Sequence, residues 1–169
     1  MEEKRYDVDL IHNLLIRFTE NERDIDNQIE RLEHIKVRLE GVGAQVLTDM
    51  PKSHNVNRDR YSDLIDQKDE LELHIRAAIK AQNEERNYFE SILAHLKNPD
   101  EKAVIRMRYF DQSSWNDVRD MLFSSKSDFE GKEDSYLRRA HRLHGAALLK
   151  MQMYIQDHEG KDTADSVRL

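Results

Sequence analysis

The sequence contains no cysteine, and only 2 prolines and 5 glycines interrupt its 169 residues. The absence of cysteine excludes a disulfide framework, a thiolate zinc site and a cysteine nucleophile. So few prolines and glycines, combined with 36% charged residues, are typical of long helices with solvated outer faces. No apolar run approaches the roughly 20 residues of a transmembrane helix, and the charged N-terminus is unlike a secretion signal. We therefore expect a cytoplasmic, all-α protein with no membrane contact.

The sequence also lacks the common catalytic signatures. It has no P-loop, no glycine-rich dinucleotide turn, no Gly-x-Ser-x-Gly and no His-Glu-x-x-His. Its acids fall at positions expected to be exposed on helices, rather than in apolar surroundings that would perturb their pKa values. We therefore expect neither an enzyme, nor a small-molecule substrate, nor a cofactor.

The net charge of −7 is unevenly distributed along the chain. Residues 101–157 carry 10 lysines and arginines against 9 acids, so the negative charge is concentrated in residues 1–100. The acidic part does not favour nucleic acid as a partner, whereas the C-terminal part is free to carry a basic surface.

Two long stretches, over residues 9–40 and 61–96, have the apolar spacing of amphipathic helices. The predicted seam comprises Ile11, Leu15, Phe18, Ile25, Ile29, Leu32 and Leu39 in the first helix and Leu64, Leu71, Ile75, Phe89 and Ile92 in the second. We expect a long, coiled-coil-like antiparallel hairpin over residues 1–97, or burial of these stripes against a second copy of the chain. So thin a pair of helices has little core of its own, which favours a homodimer.

Gly41 and Gly43 are expected to end the first helix, because glycine readily adopts the left-handed conformation that closes a helix. Residues 41–60 show no helical periodicity and contain Pro51, so they are expected to form a long loop. Residues 49–52, Asp-Met-Pro-Lys, fit either a recognition loop or an ordered turn.

Residues 98–158 are expected to form a second domain of three short helices. Asn98 is a typical helix start, and its helix should run to about Phe110. Ser114 should cap the next helix, with Asp117 placed for a capping box. The inner face of that helix is expected to contain Trp115, Val118, Met121 and Leu122.

A last helix is expected over residues 135–151, capped by Asp134 or Ser135. Its apolar row contains Leu137, Ala140, Leu143, Ala147 and Leu148. Its other side contains Arg138, Arg139, Arg142 and Lys150, with no acid among them. This cluster of cations in an acidic chain predicts an anion-binding surface. Residues 159–169 are expected to be a disordered tail.

Three short helices with a basic last member indicate a helix-turn-helix, whose last helix lies in the DNA major groove. Residues 96–151 also resemble the sigma-70 region 4-like domain of small phage and prophage proteins from Gram-positive bacteria. The resemblance rests on residues 108–109 (Arg-Tyr), 114–118 (Ser-Trp-Asn-Asp-Val) and 142–148 (Arg-Leu-His-Gly-Ala-Ala-Leu), and residues 49–52 are also similar to that family. It implies a late-gene transcription regulator of the ArpU and RinA type in a bacterial host cell, with promoter DNA and RNA polymerase, or another basic host protein, as partners.

The resemblance further implies that Trp115 and Val118 belong to the core and that the last helix contacts DNA. The implied contact residues are Tyr136, Arg138, Arg139, His141, Arg142 and Lys150. Arginine can pair with guanine edges, while lysine and the helix start can hold phosphates. Residues 123–134 depart from the pattern, because this enlarged loop stands where a helix-turn-helix has a turn of about 3 to 4 residues. It could reach a second surface or keep the helix out of the groove.

Other interpretations remain open from the sequence. The basic side could be an ordinary solvated face that pairs with Glu130, Glu133 and Asp134. His141 and His144 have a spacing that a metal could use, but no third ligand is evident, so no metal site is expected. The rival function is an acidic coiled coil that occupies the nucleic-acid-binding surface of a basic host or phage protein. That function predicts no affinity for DNA.

Overall fold

Every element in the described part of the chain is helical. The computed structural model describes residues 8–46 and 56–165, and no strand occurs among them. The helices are α1 (Val8–Val46), α2 (Val56–Ala94), α3 (Pro99–Ile105), α4 (Trp115–Phe123) and α5 (Glu133–Asp165), and a π-helical segment, Arg106–Phe110, continues α3. None of the described helices is long and apolar enough to cross a membrane. The expectation of an all-α fold is confirmed.

The prediction that Gly41 ends the first helix is wrong. α1 continues to Val46, and Gly41 does not have the positive φ angle of a helix-closing glycine. A glycine inside a helix costs only about 1 kcal/mol relative to alanine, which a long helix tolerates. α2 likewise begins at Val56, before the predicted start at Tyr61. Residues 47–55, which include the Asp-Met-Pro-Lys segment, lie outside the described residues.

The predicted starts of α3 and α4 are confirmed by their caps. The Asn98 side chain accepts a hydrogen bond from the Asp100 N–H at 3.0 Å, and Pro99 occupies the first turn. Ser114 and Asp117 form a reciprocal capping box, in which each side chain accepts a hydrogen bond from the other residue's N–H, at 3.2 and 3.1 Å. These bonds satisfy N–H groups that a helix start leaves unpaired.

The inner face of α4 and the extent of α5 differ from the prediction. Met121, expected in the core, is 76% exposed, and Phe123 is buried instead. The large ring of Phe123 covers the core where α4 ends, so Met121 is left on the solvent side. α5 begins at Glu133, ahead of the predicted caps, and continues past Glu159, where a disordered tail was predicted to begin, to Asp165.

Contacts divide the chain into two compact units. The terminal unit contains residues 1–19 and 85–169, and the middle unit contains residues 20–84. The sequence predicted a boundary after residue 97, between long helices and short ones. In the structure, the beginning of α1 and the end of α2 belong instead to the unit that contains the C-terminal helices.

The main core of the terminal unit is built by α1, α2, α3 with its π-helical continuation, and α5. It contains the predicted seam residues Ile11, Leu15, Phe18, Phe89 and Ile92, together with Leu93, Leu96, Ile105, Tyr109, Phe110, Ala147, Leu148, Met151 and Ile155. The ring of Phe18 meets the rings of Phe89 and Phe110 edge to face, with centroids 5.6 and 5.4 Å apart. These five seam residues are therefore buried within one chain.

The start of α1 is tied to α5 by a buried amide. Gln152 is fully buried, and its Oε1 accepts a hydrogen bond from the backbone N–H of Ile11 at 3.2 Å. This hydrogen bond joins the first turns of α1 to α5.

The middle unit has a narrow seam between its two helices. Among residues 20–41 and 59–84, for which burial is described, the buried apolar residues are Ile25, Leu32, Ile35, Leu64 and Ile75. Of the remaining predicted seam residues, Leu39 and Leu71 are partly buried and Ile29 is exposed. A polar groove of about 480 Å³ is lined by both helices, through Asp24, Gln28, Arg31, Gln67, Glu70, Leu71 and His74. α1 and α2 therefore lie side by side in this unit.

Candidate nucleic-acid interface

α4 packs against the first half of α5 through a small apolar cluster. The cluster contains Val104, Met107, Val118, Phe123 and Ala140, with Trp115, Leu122, Phe129, Tyr136 and Leu143 partly buried around it. Ala140 is fully buried, and its small side chain lets the two helices approach closely. Val118 lies in the core as the sequence predicted, and Trp115 lies at its margin. This packing fixes which side of α5 faces inward.

The insertion between α4 and α5 folds into successive turns. The N–H groups of Lys126, Phe129 and Lys132 donate to the carbonyls of Phe123, Lys126 and Phe129, at 2.9, 3.1 and 3.0 Å. Gly131 adopts a positive φ of 84°, a conformation that glycine reaches without strain. The insertion is therefore a compact connection within the described residues.

Tyr136, which was predicted to contact DNA, anchors this insertion. Its hydroxyl donates to Asp128 at 2.6 Å, and Lys132 donates to the same carboxylate at 3.0 Å. The hydrogen bond from Tyr136, followed by that from Lys132, lowers the pKa of Asp128, and the bond to Asp128 raises the pKa of Tyr136. The Tyr136 ring also stacks on Phe123, with centroids 5.1 Å apart.

Arg138, Arg139 and Arg142 are exposed on the outer side of α5. Arg138 and Arg142 are one helical turn apart, so their side chains lie close together on the surface. The guanidinium of Arg139 lies over the Phe123 ring at 5.1 Å, a cation–π contact that holds it beside α4. The three arginines form the surface that we call the arginine face.

The acids of the insertion do not neutralise the arginine face. Within the described residues, Glu130, Glu133 and Asp134 form no ion pair with it, and the ion pair in the insertion joins Asp128 to Lys132. The structure therefore does not contain the pairing between the arginine face and these acids that the alternative interpretation requires.

Lys150 is held away from the arginine face by an ion pair. Its Nζ donates to both carboxylate oxygens of Glu101, at 2.6 and 2.7 Å, and Glu101 is only 4% exposed. A buried carboxylate is costly without such a partner. Lys150 also follows Arg138 by twelve residues, about 18 Å along the helix. The structure does not bring the predicted cations together as one group.

Trp115 is flanked by two groups that sequence reasoning did not connect to it. The ring of His141 lies 4.0 Å from the Trp115 ring, and the guanidinium of Arg108 lies 4.7 Å from it. Arg108 also donates to the backbone carbonyl of Ser113. His141 is exposed, so this predicted contact residue packs on Trp115 and still reaches the surface next to α4.

A polar pair inside the terminal unit was also missed by sequence reasoning. His144 Nε2 lies 2.8 Å from the hydroxyl of Tyr109, and the His12 ring meets both rings edge to face. Burial lowers the pKa of His144 to about 4, with smaller contributions from His12, Arg108 and His141. Burial raises the pKa of Tyr109 to about 12. Both side chains are therefore neutral at pH 7, and His144 adds no charge to α5.

His141 and His144, whose spacing a metal could use, both lie against Trp115, with ring centroids 4.0 and 5.1 Å from it. His144 is also hydrogen-bonded to Tyr109. Among residues 8–46 and 56–165, no group of three histidines or acids is placed to hold a metal ion.

Residues 48–140, more than half of the chain, match the family model described as "Protein of unknown function (DUF1492)". The chain belongs to this family. The DUF1492 match includes α2, α3 and α4 and ends at Ala140, so it contains Arg138 and Arg139 but not Arg142 or Lys150. No curated protein and no solved structure matches the chain.

Proposed function

We propose that this chain is a DNA-binding transcription regulator that contacts DNA through the arginine face of α5. The observation that carries the proposal is that Arg138, Arg139 and Arg142 are exposed and make no ion pair within the described residues. Cations that neutralise phosphates release the counterions condensed on DNA, so an unpaired cluster of this kind favours binding to DNA.

Two other cations of the terminal unit, Arg106 and Lys150, differ from the arginine face because each pairs with an acid. Arg106 pairs with Glu90 at 2.6 Å and lowers the pKa of that carboxyl, and Lys150 pairs with Glu101. Such cations would have to give up an acid in order to contact a phosphate. The proposal therefore assigns DNA contact to the three arginines and leaves Lys150 in a structural role.

The proposal includes a helix-turn-helix of the sigma-70 region 4 type, made by α3, α4 and α5. It is supported by the capped start of α4 and by the apolar cluster that turns the inner side of α5 toward α4. The insertion is anchored at Tyr136, in the first turn of α5, so it leaves the arginines uncovered. In this arrangement Arg138 and Arg142 are suited to base edges, and Arg139, restrained over Phe123, is suited to a phosphate.

We also propose that α1 and α2 form the predicted antiparallel hairpin. The ion pair between Arg17 and Glu85 at 3.4 Å, and the groove lined by both helices in the middle unit, support this arrangement. In a regulator of the implied phage type, this hairpin would be available to a protein partner such as RNA polymerase.

The test is fluorescence anisotropy of the full chain against pooled fragments of the genome that encodes it, at low and moderate salt. Replacing all three arginines, as Arg138→Ala, Arg139→Ala and Arg142→Ala, should weaken binding by at least about 100-fold, or about 1 kcal/mol for each arginine. The slope of log affinity against log salt should become shallower by about 1, because Arg139 is the one arginine of the three that is assigned to a phosphate.

The matched control removes three arginines from the middle unit, as Arg23→Ala, Arg38→Ala and Arg76→Ala. All three are exposed, and the net charge changes by the same amount. This variant should bind like the unaltered chain. An equal loss of DNA affinity in both triple variants would show that net charge alone determines binding, and it would contradict the assignment to α5.

The rival function is that of an acidic coiled coil that binds the nucleic-acid-binding surface of a basic protein. It predicts a different result from the same measurement. It predicts no saturable binding to any fragment and no difference between the two triple variants. That result would exclude direct contact with DNA by this chain alone and would direct attention to a protein partner.

A further inference from the structure

A pocket of about 310 Å³ lies in the terminal unit, between the end of α2 and the second half of α5. It is lined by Ile92, His95, Leu96, Lys97, Lys150 and Tyr154. Sites for small molecules usually occupy about 300 to 1,000 Å³ and combine apolar walls with a few polar groups. The pocket therefore has the size and the composition of a small-molecule site.

One wall of the pocket is apolar and aromatic. Ile92 and Leu96 are buried, and the Tyr154 ring stacks on the rings of His95 and His158, with centroids 4.1 and 3.9 Å apart. The Nδ1 atom of each histidine lies 2.8 Å from the backbone carbonyl oxygen four residues earlier, which fixes the ring. Aromatic rings favour offset or edge-to-face contacts with one another. This wall is therefore suited to a ligand that contains an aromatic ring.

The charge of the pocket comes from its two lysines. Lys150 donates to both carboxylate oxygens of Glu101, at 2.6 and 2.7 Å, so this pair is neutral as a whole. An ammonium group has three donors, which leaves Lys150 one N–H for another partner. Lys97 is exposed and, within residues 8–46 and 56–165, its side chain forms no ion pair or hydrogen bond. None of the residues that line the pocket is an acid, so the charge of Lys97 is uncompensated there.

We propose that this pocket binds a small molecule that carries one anionic group on an aromatic ring. The anionic group pairs with Lys97 and accepts the remaining N–H of Lys150, while the ring packs on Ile92 and Leu96 beside Tyr154. A neutral aromatic molecule would leave the charge of Lys97 unmatched, and an inorganic anion would leave the apolar wall in water. The two parts of the pocket therefore select a ligand that has both features.

This inference does not depend on DNA binding. The arginine face and the pocket lie at different heights of α5, since Lys150 follows Arg138 by about 18 Å along the helix. The variant that lacks all three arginines of the arginine face should therefore bind the small molecule like the unaltered chain. Failure of one proposal is thus distinguishable from failure of the other.

The first test is isothermal titration calorimetry of the full chain with 2-naphthoate, an aromatic carboxylate. It should bind saturably, with one molecule for each chain. Two reduced probes separate its features, because 2-naphthamide has the same rings without the charge and acetate has the carboxylate without the rings. Each should bind at least about 10-fold more weakly than 2-naphthoate, since each lacks one of the two contacts.

The second test removes the uncompensated cation. Lys97→Ala should weaken 2-naphthoate binding by about 10-fold, because a hydrogen bond between charged groups is lost. Lys97→Arg retains the charge and should bind within about threefold of the unaltered chain. The matched control is Lys126→Ala, which removes an exposed lysine from the same unit but outside the pocket, and it should bind normally.

Three results would overturn the proposal. Absence of saturable 2-naphthoate binding would exclude a site of this chemistry. Equal affinity for 2-naphthoate and 2-naphthamide would show that the pocket is only an apolar cleft. Equal losses in Lys97→Ala and Lys126→Ala would show that net charge, and not the pocket, determines the affinity. Circular dichroism of each variant would confirm that the helices are retained.

Discussion

The two long helices bury their apolar residues differently in the two units. At the start of α1, Leu15 and Phe18 are fully buried, because the π-helical segment and α5 contribute to the same core as α2. Further along the same helix, Ile25 and Leu32 keep 9% and 7% of their surface in a seam made by two helices. One repeating pattern thus yields a domain core in one unit and a narrow seam in the other. The difference depends on which distant segments join the helices, and spacing along the chain does not encode it.

Matched truncations should give the largest contrast between the units. Leu93→Ala in the terminal core should lower the free energy of unfolding by about 4 kcal/mol, near the upper end for such changes, because a fully enclosed site cannot collapse around the cavity. Leu32→Ala in the middle unit should cost about 2 kcal/mol, since solvent and the flanking side chains can fill the space. Urea unfolding followed by circular dichroism would measure both. Equal losses would show that the middle unit is as tightly packed as the terminal one.

The pH dependence of stability should report on the terminal unit, because His144 belongs to that unit. The pKa of His144 is about 4 in the folded chain and about 6.5 when unfolded, so between these pH values only the unfolded chain binds the proton. The stability contributed by the neutral histidine is complete above pH 6.5 and is lost as the pH falls toward 4. Allowing for partial solvent exposure of the ring, the loss between pH 7 and pH 4 should be about 2 kcal/mol.

The control for this titration is His144→Gln, which cannot titrate but keeps a polar atom for Tyr109. Unfolding by urea at a series of pH values should give a shallower pH dependence for the variant than for the unaltered chain. Parallel curves would mean that His144 is protonated alike in both states, contrary to the burial seen here.

A pair of glycines, one in each unit, should give the smallest effects. Apart from its chain neighbours and the backbone of its own helix, neither Gly145 in α5 nor Gly41 in α1 has an atom within 4 Å of the position that a Cβ would take, and neither has a positive φ. Gly145→Ala should therefore raise the free energy of unfolding by about 1 kcal/mol, because alanine loses less backbone entropy in a helix. Gly41→Ala, close to the end of its helix, should give about half of that. Thermal unfolding would measure both, and destabilisation by Gly145→Ala would indicate a contact absent from this structure.

Sequence reasoning was most successful where the cause is local. The caps at Asn98 and Ser114 depend on residues within three positions of each other, and both are confirmed. Apolar spacing likewise identified most of the buried positions of α1 and α2. It failed at Gly41, where a weak local preference for ending a helix was overridden by the rest of α1.

The candidate site was harder to predict because its decisive contacts are distant in sequence. In the sequence, Lys150 cannot be distinguished from the three arginines as a cation on the same side of the helix. In the structure it pairs with Glu101, which lies 49 positions earlier in the chain. The bond of Tyr136 could have been anticipated in part, since Asp128 lies only eight residues before it, but this bond depends on how the insertion folds. The neutrality of His144 depends on burial beside Tyr109, which no spacing indicates.

The hydrogen bond from the Ile11 N–H to Gln152 also has a consequence for biosynthesis. The two residues are 141 positions apart, so the first turns of α1 acquire this partner only after Gln152 has left the ribosome. Until then, the apolar row that begins at Ile11 lacks α5 and exposes surface that favours aggregation. Contacts of such high sequence separation slow folding, because a long loop must close before they form. The terminal unit is thus expected to fold only once α5 has been synthesised, and its first helix is expected to depend on chaperones until then.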